Sequence, residues 1–298
     1  MLQSPGVRRR VQVLAVVLVV FFFGLAVYSQ VPLILSYNWS FDPAYFALAA
    51  ILLVARGPVQ VLPWWAIMRR LGYALPFRKS IRILYHSALA RYLPGQMWYA
   101  VSRVYLAEKE EVPRLVTAVS MGLEIALLVA SAALVSSLSL LVWPNAPVWL
   151  GAIVLVGFLA LVLQPRLFFR VLNRVLVRLG RQPLAVELSG LDMLHLLAPF
   201  VFNWLVYGAM SFALTASLYP ALPLQQAPGL AGLYTAAWLV GFLTIVVPQG
   251  LVVREGIIFT SLTTLLGVPA PVATAAALLS RLWTMLGEAI WAAISARF

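Results

Sequence analysis

Long apolar runs, separated by short polar or basic segments, make up most of the chain. Six of these runs approach or exceed the roughly 20 residues that a helix needs to cross a bilayer. They cover residues 11–35, 41–68, 115–143, 148–163, 193–218 and 271–294. The pattern predicts an all-α, polytopic membrane helical bundle with about six spanning helices.

Two further apolar regions, 81–107 and 230–267, do not fit as simple spans because prolines, glycines and charges interrupt them near the middle. Proline removes a backbone donor and glycine permits a sharp turn, so each region predicts two short helices with a break between them. Irregular backbone at membrane depth is tolerated only against protein or a wet cavity. We predict two re-entrant segments, with helix-breaking residues Pro94, Gly95, Pro248, Gly250 and Gly256.

The distribution of lysine and arginine predicts the orientation, because cytoplasmic loops are enriched in both residues. Arg8, Arg9 and Arg10 precede the first run, and basic residues recur in 69–82, in 109–114 and in 166–181. All of these fall on one face if both re-entrant segments return to the side that they enter from. The prediction is a multi-pass protein of the cytoplasmic (inner) cell membrane with both termini cytoplasmic.

Under this scheme the two re-entrant segments enter from opposite faces, which predicts an inverted repeat. The single transmembrane domain 1–298 then divides into four parts. These are an N-terminal anchor span (1–40), a first inverted half (41–143), a fourth span with a basic amphipathic linker (144–192), and a second inverted half (193–298). Paired interruptions at matching positions of two halves are typical of a transporter with its substrate site near the midplane.

Composition excludes several classes of protein. The chain is 63% hydrophobic and 10% charged, far from the roughly 25% charged residues of a soluble domain. It contains no cysteine and two histidines, so we expect no metal and no cofactor. The net charge of +12 is explained by the basic cytoplasmic loops, and we expect no nucleic-acid partner.

Charged residues inside the apolar regions are the candidates for function. Each costs about 2.5–3.5 kcal/mol at the centre of a membrane helix. A helix that begins after a break also directs free N–H groups at an anion. We predict a substrate site formed by Arg103, Arg254, Glu255, Gln96, Gln249, Trp98, Glu124, Arg281 and Glu288. The alternative is purely structural pairing of Arg254 and Glu255 with Glu124, Arg281 or Glu288.

Two other basic features have more than one interpretation. Arg56, followed by Gly57 and Pro58, lies centrally in the second run, and either a functional or a structural arginine fits there. The segment 166–181 has an arginine at every fourth position up to residue 178 and predicts an amphipathic helix on the cytoplasmic surface. That helix fits a topological anchor as well as a lipid-recruiting element.

These motifs resemble the lysylphosphatidylglycerol synthase transmembrane region family, the flippase-like domain of multiple peptide resistance factors and their stand-alone relatives. The first motif is Arg91-Tyr-Leu-Pro-Gly-Gln-Met-Trp98 followed by Arg103, and the second is Pro248-Gln-Gly-Leu-Val-Val-Arg-Glu-Gly256. Glu124 and the pair Arg281 and Glu288 complete the resemblance, which covers essentially the whole chain. The second motif departs from the family at Gln249 and Val252, where glycines are usual.

The resemblance implies a lipid flippase or transporter that moves an anionic or aminoacylated phospholipid, or a polyprenyl-phosphate-linked lipid, between leaflets. No soluble aminoacyl-transfer domain follows the last span in this sequence, so we expect no aminoacylation and no enzymatic activity. Two alternatives are a glycosyltransferase-like membrane enzyme and a non-catalytic partner in lipid-linked glycan synthesis. Expected partners are membrane lipids, with a glycosyltransferase or synthase, or a second copy of the chain, as further partners.

Overall fold

A computed structural model describes residues 34–92, 97–142, 188–244 and 252–298, together with isolated positions between 28 and 32 and between 170 and 178. The described residues form helices connected by short turns and contain no strand. Most of the predicted anchor span, the fourth span 148–163 and most of the segment 166–181 lie outside them. Arg170, Arg174 and Arg178 are helical and exposed.

Eight α-helices make up the described part of the bundle. In chain order they are α1 (Pro43–Arg70), α2 (Phe77–Leu89), α3 (Met97–Glu108), α4 (Arg114–Ser139), α5 (Gly190–Leu218), α6 (Ala227–Leu243), α7 (Val253–Leu266) and α8 (Ala270–Ser295). Short 3₁₀ turns follow α2 and α4 and precede α6.

Four of these helices, α1, α4, α5 and α8, are long and apolar enough to cross a membrane. Their bounds agree with the predicted runs 41–68, 115–143, 193–218 and 271–294. Large apolar side chains on them remain exposed, which suits contact with lipid tails rather than water. Examples are Ile51, Val54, Leu205, Leu282 and Leu286.

Local sequence signals explain where the long helices begin. Asp42 caps α1, and its carboxylate accepts hydrogen bonds from the backbone N–H groups of Ala44 at 2.8 Å and Tyr45 at 3.2 Å. Ser189 and Asp192 form a reciprocal capping box at the start of α5. Helices α4 and α8 each begin directly after a proline, Pro113 and Pro269, which cannot continue a preceding helix.

Helices α1 and α5 run antiparallel and pack extensively against each other. At one end the backbone N–H of Asp42 donates to the carbonyl of Ser217 at 2.9 Å, and at the other end Arg70 forms an ion pair with Asp192. These two contacts join the start of each helix to the end of the other. This pair of helices is therefore fixed in register at both ends.

The short helices pair into two helical hairpins. Near the open end of the first hairpin, Lys79 at the start of α2 forms an ion pair with Glu110 just after α3. Helices α6 and α7 also pack against each other. The first hairpin, α2 with α3, packs on α8, and the second, α6 with α7, packs on α4.

Pro58 interrupts the hydrogen bonding of α1 and leaves a backbone acceptor for a neighbouring helix. It has no N–H, so the carbonyl of Val54 loses its usual helical donor. The indole Nε1 of Trp291, on α8, donates to that carbonyl at 2.9 Å, and the hydroxyl of Tyr85, on α2, donates to the carbonyl of Gly57 at 3.0 Å. At this interruption, side chains of α2 and α8 therefore both donate hydrogen bonds to the backbone of α1.

We expect Gly57→Ala to destabilise the protein by about 1–3 kcal/mol, the usual cost of overpacking. A Cβ at position 57 would lie 1.8 Å from Nε1 of Trp291, and the indole could not keep its hydrogen bond. The measurement is thermal unfolding of the purified protein in detergent.

Gly122→Ala is the matched control, because Gly122 lies inside helix α4 and a Cβ there meets no atom within 4 Å. Alanine should stabilise that helix by about 0.5–1 kcal/mol. An equal response of the two variants would contradict the proposed contact between Gly57 and Trp291.

Candidate functional site

A buried pair of charges connects α3 to α4. The guanidinium of Arg103, whose side chain is 1% exposed, forms an ion pair with Glu124 and donates through Nε to Ser87 Oγ at 3.4 Å. It also lies 5.2 Å from the ring centroid of Trp64 and 4.7 Å from that of Tyr99. Arg103 therefore has a carboxylate, a hydroxyl and two aromatic faces around it.

A second buried pair connects α7 to α8 with the charges exchanged. Here the short helix supplies the carboxylate, and Arg281 Nε on α8 donates to Glu255 at 2.7 Å. The other oxygen of Glu255 accepts the backbone N–H of Val252 at 2.9 Å and caps the start of α7. Val252 lies at φ 72°, a region that glycine adopts without strain and a β-branched residue does not.

A third ion pair joins the end of the first hairpin to α8. Arg91 Nη1, in the turn after α2, lies 3.1 Å from Glu288. Its guanidinium also faces the ring of Tyr99 at 5.1 Å. Tyr99 therefore lies between Arg91 and Arg103 and connects two of the ion pairs.

Arg254 is buried but has no carboxylate partner among the described residues. Its Nη2 donates to the hydroxyl of Tyr207 at 3.0 Å and to Ser280 Oγ at 3.0 Å, while its Nε is buried without a hydrogen-bond partner there. The side chain is 7% exposed. Two neutral hydroxyls therefore replace the counter-ion that a buried guanidinium normally has.

Arg56 reaches the same tyrosine from α1. Its guanidinium lies 4.9 Å from the ring centroid of Tyr207, and its Nε is also buried with no hydrogen-bond partner in the described part of the chain. The sequence placed Arg56 at membrane depth beside Gly57 and Pro58 but left its role open. The pairing of α1 with α5 is what brings it to Tyr207, and no local signal encodes that contact.

The structure brings together five of the predicted site residues in the ion pairs Arg103–Glu124, Arg281–Glu255 and Arg91–Glu288. The structural alternative for Glu255, pairing with Arg281, is observed; Arg254 is bound by Tyr207 and Ser280, which were not predicted. Trp98 lies on α3 with half of its surface exposed, and Gly256 lies in the first turn of α7. The predicted residues outside the described ranges are Gln96, Gln249, Pro94, Gly95, Pro248 and Gly250.

The charged side chains of this interior, among the described residues, are guanidinium and carboxylate groups. Within the described ranges no group of three or more histidine, aspartate or glutamate side chains lies close enough to hold a metal ion. Guanidinium groups, by contrast, present several N–H donors in a planar fork that matches phosphate and carboxylate oxygens. The arrangement is suited to binding an anion.

Comparison with known proteins gives no match, either to a protein-family model or to a curated protein sequence.

We expect Glu124→Gln to destabilise the protein by about 3 kcal/mol, because it leaves the charge of Arg103 buried without a counter-ion. The double variant Glu124→Gln with Arg103→Gln should recover most of this loss, since no charge then remains to be compensated. Thermal unfolding in detergent measures both. A double variant as unstable as Glu124→Gln alone would show that the pair is not the source of the effect.

Proposed function

We propose that this chain is a lipid flippase or transporter of the cytoplasmic membrane that holds an anionic lipid head group at the arginine-rich interior of its helical bundle. The observation that carries the proposal is the burial of Arg254, whose side-chain partners among the described residues are two hydroxyls and no carboxylate. We propose that it lies at membrane depth. A protein has no structural gain from an uncompensated guanidinium at that depth, and such residues mark substrate pathways.

The helical hairpins support the two proposed re-entrant segments. Helix α2 has 13 residues, and at 1.5 Å per residue it is about 20 Å long, short of the roughly 30 Å of a bilayer core. The ion pair between Lys79 and Glu110 holds the start of α2 beside the end of α3. A segment that enters and leaves at the same end has this geometry.

The packing pattern supports the proposed inverted repeat. Each half has a long helix, a hairpin of two short helices and a second long helix in the same order. In this order α1 corresponds to α5, α2 to α6, α3 to α7 and α4 to α8. The packing of α2 on α8 then corresponds to that of α6 on α4, and the other extensive helix contacts of the described residues correspond in the same way. The equivalent helices α1 and α5 are antiparallel, which corresponds to a two-fold axis in the membrane plane.

Charge supports the proposed orientation. Basic residues of the described loops gather at the end where α1 stops and α4 and α5 begin, including Arg69, Arg70, Arg78, Lys79, Arg82, Lys109 and Arg114. The described connections at the other end, 36–42, 140–142, 218–226 and 267–269, contain no lysine or arginine. We propose that the basic end and both termini are cytoplasmic, with 11–35 and 148–163 as the remaining two of six spans.

The proposed mechanism uses the arginines to replace the hydration of a head-group phosphate as it passes between leaflets. Arg254, near the start of the second hairpin's return helix, binds the phosphate, and the ion pair of Glu255 with Arg281 fixes that helix start. Glu288 and Glu124 hold neighbouring arginines in place. The resemblance of the motifs to the transmembrane region of lysylphosphatidylglycerol synthases points to the same class of cargo.

Cysteine labelling tests the topology, because the natural chain contains no cysteine. We expect a membrane-impermeant maleimide to label Ser40→Cys from outside intact cells. Arg78→Cys and Lys109→Cys, at the two ends of the first hairpin, should both stay unlabelled until the cells are opened. If 81–107 instead crosses the membrane, one of these two cysteines will react from outside and the other will not.

Reconstitution tests the activity. In vesicles that contain a fluorescent anionic phospholipid or a fluorescent lipid phosphate, the wild-type protein should expose the inner-leaflet lipid to an external quencher. Arg254→Ala should abolish this exchange, because the head group loses its main cationic contact.

Arg114→Gln serves as the control, since Arg114 forms an exposed pair with Glu108 at the end of the bundle. Both variants must elute as folded protein on size exclusion before reconstitution. Wild-type exchange rates in the Arg254→Ala vesicles would rule out the proposed role of this residue.

A further inference from the structure

The interior cluster of the described residues carries more positive than negative charge. It contains five arginines and three glutamates, and each glutamate is already paired with one arginine. Two guanidinium groups, those of Arg56 and Arg254, have no ion pair in the described ranges. The cluster therefore has a formal excess of two positive charges.

These two guanidinium groups meet at a single side chain, Tyr207 of helix α5. Arg254 donates to the tyrosine hydroxyl at 3.0 Å, and Arg56 lies over the ring at 4.9 Å from its centroid. The Nε of each arginine is buried and lacks a hydrogen-bond partner among the described residues. Each of the two arginines that contact this buried tyrosine therefore retains an unsatisfied N–H donor.

Among the described residues, the carboxylates closest to the two arginines are already engaged in ion pairs. Within electrostatic range of Arg56 lie Tyr85, Tyr207, Glu288 and Arg254, so Glu288 is the acidic group among them. Glu288 is already 3.1 Å from Arg91. Because buried charges are normally compensated, a ligand with negative charge is the component that would complete this arrangement.

We propose that Arg56, Arg254 and Tyr207 form a binding site for a phosphate group with two negative charges, as in a phosphomonoester or a diphosphate. Such a group carries about −1.5 to −2 at neutral pH, whereas a phosphodiester carries a single negative charge. The inference rests on the proposed transport function and specifies its cargo as a lipid phosphomonoester or diphosphate.

Tyr207 contributes directional recognition to this site. Its hydroxyl oxygen accepts the hydrogen bond from Arg254, so its own proton is available for donation to a phosphate oxygen. The ring is buried, and helix α5 is held against α1 at both ends. Arg56 on α1 and Arg254 on α7 therefore contribute to one site from the two halves of the protein.

Binding of matched amphiphiles to the detergent-purified full chain tests the proposal. The probes are dodecyl phosphate, its methyl diester and inorganic phosphate, each measured by isothermal titration calorimetry at neutral pH. We expect dodecyl phosphate to bind at least about tenfold more tightly than the diester, the effect of losing one charge-assisted contact. Equal affinity for the two amphiphiles would overturn the proposal.

Inorganic phosphate distinguishes the two sources of the same chemistry. If it displaces dodecyl phosphate at millimolar concentration, the phosphate group alone is recognised. If it does not displace it, the site recognises the phosphate only as part of a lipid.

Three variants assign the binding to the proposed residues. Arg56→Gln and Arg254→Gln should each weaken dodecyl phosphate by about tenfold or more and remove the preference over the diester. Arg69→Gln, on the same helix as Arg56 but exposed at its end, should leave both affinities unchanged. Retained preference in both interior variants would overturn the assignment.

Ser280→Asp provides a test that does not depend on removing an arginine. Ser280 Oγ lies 3.0 Å from Arg254 Nη2, so a carboxylate there would supply the missing counter-ion. We expect a higher unfolding temperature together with loss of dodecyl phosphate binding. Unchanged binding in a folded Ser280→Asp protein would contradict the proposal.

Binding and transport fail independently in these experiments. Exchange of a phosphodiester lipid that requires Arg254, without any preference for dodecyl phosphate, would refute the dianion site and leave the flippase intact. Selective dodecyl phosphate binding without exchange of any lipid would refute the flippase and retain the site.

Discussion

The cost of holding a guanidinium away from water governs the interior of this protein. A membrane bundle offers few groups that can replace hydration, so each buried arginine must be met by a carboxylate, a hydroxyl or an aromatic face. Arg103 has all three, and Arg281 and Arg91 each have a carboxylate. The short helices and the long helices around them are packed so that these partners meet.

Helix α1 shows how one local interruption can serve the whole bundle. Proline at position 58 frees the carbonyl of Val54, and glycine at 57 leaves room for the indole that binds it. One residue earlier, Arg56 faces Tyr207 on α5. The same turn of helix therefore holds α8 and α2 in place and supplies a cation to the interior.

The long helices could be predicted from sequence because a membrane helix requires a continuous local run of apolar residues. The bounds of α1, α4, α5 and α8 follow the predicted runs to within a few residues. The interior charges were also visible, since an arginine or glutamate in such a run stands out. Their partners were not, because the contact of Arg56 with Tyr207, like that of Arg254 with Tyr207, depends on how distant helices pack. Glu255 pairs with Arg281 because α7 packs on α8, and that packing is not recorded in the local sequence.

Each hairpin packs on a long helix of the other half, which has a consequence for the order of assembly. The first hairpin packs on α8, so the ring of Tyr85 finds its stacking partner in Trp291, near the end of the chain. Ribosomes release the chain from its N-terminus, and early segments of a protein ordinarily fold before later ones exist. Here the contacts of the first hairpin with α8 can form only after all the other described helices have been synthesised. The packing of the first hairpin therefore depends on a helix that is synthesised long after it.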